Sequence, residues 1–237
     1  HINRDDNKDI PATITKVEKR FKELTDYIAK KKLPLQLIQG YEVYFSYDLV
    51  NIPVQTLKRL TIGDSSYILI ELPFDTFSPG ILNGLFEIRK KGLDPIIVHP
   101  ERDRAFIENP ELLIEMVNKD ILIQINSSSI LRKSGKQARK LTIKLLKAGL
   151  VHFIASDIHD KASQYADLNQ CHKIVSQLTS EDFANLLLSH NPERVLQNKI
   201  ILEPDRIYPH YLKDSGLFLD SLLSPLEKIR SKIRKEK

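Results

Sequence analysis

Short apolar runs alternate along this chain with longer stretches of helical periodicity, and few folds accept that pattern. LPLQLIQGYEVYF (33–45), YILIEL (67–72), PIIVHP (95–100), ILIQINSS (121–128) and VHFIASD (151–157) read as strands. Apolar residues at helical spacing predict helices over 12–32, 80–92, 110–119, 135–148, 166–178, 180–190 and 192–198. The first of these carries Ile14, Val17, Phe21, Leu24 and Ile28 among charges, and Pro34 ends it. Gly92 and Gly149 stand where helix C-termini need a left-handed residue. Strands separated by helices must run parallel, because a parallel pair needs a crossover connection. Runs that are apolar on both alternating faces belong to strands covered on both sides. The expected class is therefore α/β with a parallel sheet of five strands. A closed barrel needs more strands, and the chain opens in mid-topology with a loop.

Composition narrows the functional classes. With 41% hydrophobic and 28% charged residues over 237 positions, the chain can bury one sizeable core. Cys171 is the single cysteine, so no internal disulfide is possible and a reducing, cytoplasmic setting is expected. No apolar run approaches the ~20 residues that span a bilayer. The net charge of +5 sits largely in the tail, at Lys228, Arg230, Lys232, Arg234, Lys235 and Lys237. Such a tail reads as a solvated face, and no nucleic-acid partner is expected. Residues 203–216, rich in Pro, Asp, Tyr and Gly, read as a linker, and 217–236 as a weakly amphipathic helix. The chain opens on His1 rather than Met, so the start of the gene product is not expected to be in view.

In parallel α/β barrels, functional groups gather at the C-terminal ends of the strands. Here the first strand ends near Glu42, the second at Glu71, and the third at His99, followed by Glu101 and Arg102. The fourth ends at Asn126, Ser127 and Ser128, and the fifth at Asp157, with His159 two residues on. Each has an ordinary alternative: Glu42 as a surface carboxylate, His99 as a satisfied core histidine. Glu71 is harder to set aside, because a carboxylate closing the buried run Tyr67-Ile68-Leu69-Ile70 needs a partner. Asp157 and His159 at i and i+2 point the same way on extended backbone. His152, near a strand start, and His172 and His190, on helices, read as structural. Carboxylates mixed with imidazoles, without thiolate, suit Mn, Fe or Zn. Such clusters activate water for attack on phosphorus esters. Arg102 has the fork that grips a phosphate by two parallel hydrogen bonds.

At these residues the sequence meets a known family. QGYEVYF, YILIELPF, IIVHPERD, QINSSSI and FIASDIHD resemble, in order and at similar spacing, the bacterial manganese-dependent protein tyrosine phosphatases of capsule and exopolysaccharide operons. These belong to the polymerase and histidinol phosphatase superfamily. The resemblance covers about residues 1–200. It implies a distorted seven-stranded α/β barrel, of the (β/α)7 type, with up to three manganese or other divalent ions at the strand ends. It also implies that Glu42, Glu71, His99, Asp157 and His159 are metal ligands and that Arg102 binds phosphate. His1 resembles the ligand that ends the family's second strand, and its spacing to Pro11 agrees. The implied substrate is a phosphotyrosine protein, a bacterial tyrosine kinase of polysaccharide export.

Two departures stand out. The family opens with a strand bearing His-x-His and then an Asp, so two strands, one helix and three ligands are expected to be missing here. Where the family carries an Arg after Asp-x-His, this chain has Lys161, a point charge without the bidentate fork. The expected organisation is an N-terminally incomplete phosphatase barrel over 1–202, then a linker and basic helix over 203–237. Two rival readings stay open. One is a small-molecule phosphatase of the same superfamily, acting on a substrate such as histidinol phosphate. The other is a non-catalytic remnant that binds polyanions.

Overall fold

The structure, a computed structural model, describes residues 2, 9–74, 77–158 and 168–203. The linker and basic helix expected beyond 203 lie outside them. The first helix, α1 (Ile10–Lys30), starts where Asp9 accepts the Ala12 N–H at 3.0 Å, with Pro11 in its first turn. Ile10, Ile14 and Ile28 are buried, but Leu24 is 50% exposed. The predicted stripe is thus only partly used.

Five strands follow: β1 (Glu42–Tyr44), β2 (Tyr67–Glu71), β3 (Asp94–Val98), β4 (Leu122–Asn126) and β5 (Phe153–Ala155). They form one sheet in chain order, every neighbouring pair parallel. A 3-10 turn (Tyr47–Asn51) and the short α2 (Val54–Lys58) connect β1 to β2. Helix α3 (Pro79–Lys90) crosses from β2 to β3, and α4 (Arg104–Glu108) with α5 (Glu111–Asn118) from β3 to β4. The turn α6 (Ser127–Ile130) and helix α7 (Lys136–Lys147) lead to β5. Beyond it lie α8 (Leu168–Leu178), α9 (Glu181–Asn185) and α10 (Asn191–Leu196). No helix of the described residues is long and apolar enough to cross a membrane.

The wholly apolar strands have two buried faces, as their composition demands. Val43, Ile68, Ile70, Ile97, Ile123 and Ile154 pack into the main core with helix residues such as Leu85, Ile88 and Leu145. On the opposite face Tyr67, Ile96, Leu122 and Phe153 form a second cluster, closed by Val195 and Ile201. His152 belongs to the framework, just ahead of β5. Its ring Nδ1 accepts the Ile123 N–H at 3.0 Å, and its backbone N–H donates to the Ile123 carbonyl at 2.9 Å. At the other end of the sheet Ile2 pairs with Val43, exchanging backbone bonds of 2.8 and 2.9 Å with Glu42 and Tyr44.

Two expectations need correction. The strand read over 33–45 shrinks to Glu42–Tyr44. Pro34 has no N–H for a ladder, and Leu35 is 62% exposed, so the apolar letters before Gly40 face outward rather than into the sheet. The helices read over 180–190 and 192–198 are one continuous path through a π turn (Leu186–His190). Pro192 lacks an N–H and its ring crowds the carbonyl four residues back. The wider turn just before it relieves both problems.

Candidate metal centre

The register places the two glutamates on one face. Glu42 pairs with Leu69, and Tyr44 with Glu71, so Glu42 and Glu71 sit one pleat apart on the side of the second cluster. Glu42 opens β1 instead of ending it, a difference from the sequence reading that follows from the shortened strand. Glu71 closes β2 as expected.

His99 follows β3 in the left-handed region, φ 38° and ψ 41°. For a residue with a Cβ this costs about 1–2 kcal/mol. Its N–H still donates to the Gln124 carbonyl at 2.9 Å, which extends the ladder by one bond. The imidazole Nε2 lies 3.3 Å from Glu42 Oε1 and 3.8 Å from Glu71 Oε1. One donor atom from each of Glu42, Glu71 and His99 falls within 4.8 Å of the others. Phe74 stacks on the imidazole, centroids 6.1 Å apart and planes within 4°.

The electrostatics of the three are those of a site short of positive charge. Burial, and then the charge of Glu42, push the Glu71 carboxyl above its ordinary pKa. Burial disfavours an imidazolium at His99, but the hydrogen bond and charge of Glu42 outweigh it and hold that pKa up. Two carboxylates and an imidazole, all largely buried and brought to one point, make a place where a cation would offset the negative charge. This donor set, oxygen and nitrogen without thiolate, fits a hard or borderline divalent ion.

Asp157 and Arg102 stand beside this group. Asp157 follows β5 with φ 52°. Its Oδ2 accepts the Asn126 side-chain amide at 2.6 Å and lies 3.5 Å from Arg102 Nη1. Both Arg102 and Asp157 are near enough to influence the Glu71 carboxyl. The structure thus brings Glu42, Glu71, His99, Arg102 and Asp157 to one end of the sheet, while His1, His159 and Lys161 lie outside the described residues. Cys171 is fully buried on α8 with its thiol 3.6 Å from the Ser127 carbonyl. A nucleophile must be reachable, and this one is not.

Sequence reasoning gave no role to Glu101, Asn126 or Phe74. Glu101 is completely buried, its Oε1 accepting the Asn126 N–H at 3.0 Å and the Ser129 hydroxyl at 2.6 Å. A charged residue between a candidate ligand and a candidate phosphate-binding arginine was the signal available for it.

The family model described as capsular polysaccharide synthesis, CpsB/CapC, matches residues 1–197. The chain is 32% identical over 219 residues to tyrosine-protein phosphatase YwqE of Bacillus subtilis, covering 92% of this chain and 83% of that protein. It is 30% identical over 173 residues to tyrosine-protein phosphatase CpsB of Streptococcus agalactiae, 70% of each chain. Among solved structures, it superposes with a TM-score of 0.71 and 29% identity on a chain from the crystal structures of YwqE from Bacillus subtilis and CpsB from Streptococcus pneumoniae, described as unique metal-dependent tyrosine phosphatases. That match covers 79% of this chain and 76% of the other. The chain belongs to the CpsB/CapC family of capsular polysaccharide synthesis proteins.

Proposed function

We propose that this protein is a metal-dependent phosphatase that hydrolyses phosphotyrosine on proteins. The observation that carries the reading is the convergence of Glu42, Glu71 and His99 donor atoms within 4.8 Å, with Arg102 beside them. Relatives that are named tyrosine-protein phosphatases support it. On this reading the five strands are part of a distorted seven-stranded barrel of the polymerase and histidinol phosphatase superfamily. Residues 1–202 form the barrel and 203–237 a linker and basic tail. The substrate is a tyrosine kinase of polysaccharide export, and the setting is cytoplasmic.

Glu42, Glu71 and His99 would hold one ion, with Asp157, His159 and His1 completing a cluster for manganese. Held by these residues, a divalent ion would supply Lewis acidity for activating a water and offsetting phosphoryl charge. The chain's own groups do the rest. Arg102, its side chain 40% exposed, offers a fork to two phosphoryl oxygens and is kept near the centre by Asp157. Lys161 adds a point charge. Phe74, 44% exposed and stacked on His99, presents an aromatic face where a tyrosyl ring would lie. That ring could stack on the aryl group of a phosphotyrosine, and the comparison with histidinol phosphate tests the choice between them. No side-chain nucleophile is required.

The test is hydrolysis of a phosphotyrosine peptide and of histidinol phosphate by the full-length gene product, with manganese and with chelator. Manganese-dependent turnover that favours the peptide is expected. Turnover indifferent to the chelator would overturn the metal reading, and preference for histidinol phosphate would overturn the substrate.

A further inference from the structure

We propose that Asn126 and Glu101 are positioning residues that fix the Asp157 carboxylate beside the metal centre, a role that rests on the reading of that centre given above. Asp157 stands beyond the last ladder pair, Asn126 with Ala155, and its left-handed backbone leads away from the strand. The ladder therefore does not orient its side chain. The Asn126 amide holds it by donating to Oδ2 at 2.6 Å, the short contact beside the longer Arg102 Nη1 approach of 3.5 Å to the same oxygen. An amide suits this task because it is neutral. It restrains rotation of the carboxylate without adding a positive charge of its own.

Asn126 is itself held. It is 1% exposed, and its backbone N–H donates to Glu101 Oε1 at 3.0 Å. The same oxygen accepts the Ser129 hydroxyl at 2.6 Å, so one fully buried carboxylate ties the end of β4 and the turn α6 to its own segment after β3. Glu101 lies in the 3-10 turn Pro100–Arg102, directly after His99. This single turn thus joins both halves of the site. His99 meets Glu42 and Glu71, Glu101 secures Asn126, and Arg102 stands 3.5 Å from Asp157. Groups that orient metal ligands in this way typically change metal affinity or activity 10–100-fold when removed.

The experiment measures manganese binding by titration calorimetry, and kcat against manganese concentration, in the full-length protein. Asn126→Leu keeps the bulk and the backbone N–H but removes the donor. Manganese affinity is expected to fall roughly 10–100-fold, with part of the kcat recovered at high manganese. Glu101→Gln retains the accepting oxygen and is expected to bind manganese like the wild type, whereas Glu101→Ala behaves like Asn126→Leu. Should Glu101→Ala fail to fold, Asn126→Leu decides alone. Folded Asn126→Leu protein with wild-type affinity and manganese dependence would overturn the proposal while leaving the metal centre intact. Wild-type protein that takes up no manganese would overturn the centre itself, and this role with it.

Discussion

At the scale of single residues, the chemistry depends on a few side chains whose loss should differ sharply in effect. His99 is a buried donor facing both glutamates, and its ring is braced by Phe74. Removing it leaves two carboxylates without their third partner. Phosphotyrosine hydrolysis by His99→Ala should fall about a thousandfold, equivalent to about 4 kcal/mol of transition-state stabilisation. Cys171→Ser should leave kcat unchanged, because the thiol is buried behind Ser127. Measuring both rates under saturating manganese checks the pair. Glu71 and His99 were legible in the sequence because each closes an apolar run, and a buried charge there needs a reason. Glu101 and Asn126 were not, because direction within a turn is not written in residue type. Glu101 points inward and its neighbour Arg102 outward, though both are charged residues of one 3-10 turn.

At the scale of elements, close approach matters more than propensity. Gly84 lies in the middle of α3, where alanine is intrinsically better by about 1 kcal/mol. A Cβ there would stand 2.5 Å from Phe45 Cζ and 3.0 Å from Phe45 Cε2. Phe45 is buried, follows β1 directly, and cannot yield without disturbing the strand that carries Glu42. Gly84→Ala is therefore expected to destabilise the protein by a net amount of about 1–2 kcal/mol, read as a lower urea midpoint. His152→Leu offers a second check. It deprives the buried Ile123 N–H of its acceptor at a cost of about 1–3 kcal/mol, with no direct effect on the metal centre. Helices α3, α5 and α7 were legible from periodicity to within a residue or two. The extent of β1 was not, because Leu33, Leu35 and Ile38 carry strand-like letters on an exposed segment. Whether an apolar residue finds a partner is decided by tertiary packing.

At the scale of the whole molecule, the parallel order of the sheet was legible from strand and helix alternation, but the closure over its second face was not. That closure joins Tyr67 and Ile96 to Val195 and Ile201, about a hundred residues further along the chain. The same face carries the glutamates, so the site rests on a cluster assembled from distant segments. This arrangement couples metal to stability. Glu71 is held above its ordinary pKa by burial and by Glu42, which means the metal-free fold keeps this carboxylate where its charge is disfavoured. An ion that binds only the folded form stabilises it by RT ln(1 + [L]/Kd), about 2.7 kcal/mol at a hundredfold excess over Kd. For a domain of this size that corresponds to a rise in Tm of roughly 5–11 °C, which differential scanning calorimetry resolves. In Glu71→Gln the buried anion and its repulsion with Glu42 disappear together. Its metal-free Tm should be at least that of the wild type, while the shift on adding manganese should collapse. A glutamate that served only the fold would give the opposite pattern, a lower Tm without metal and an undiminished shift with it.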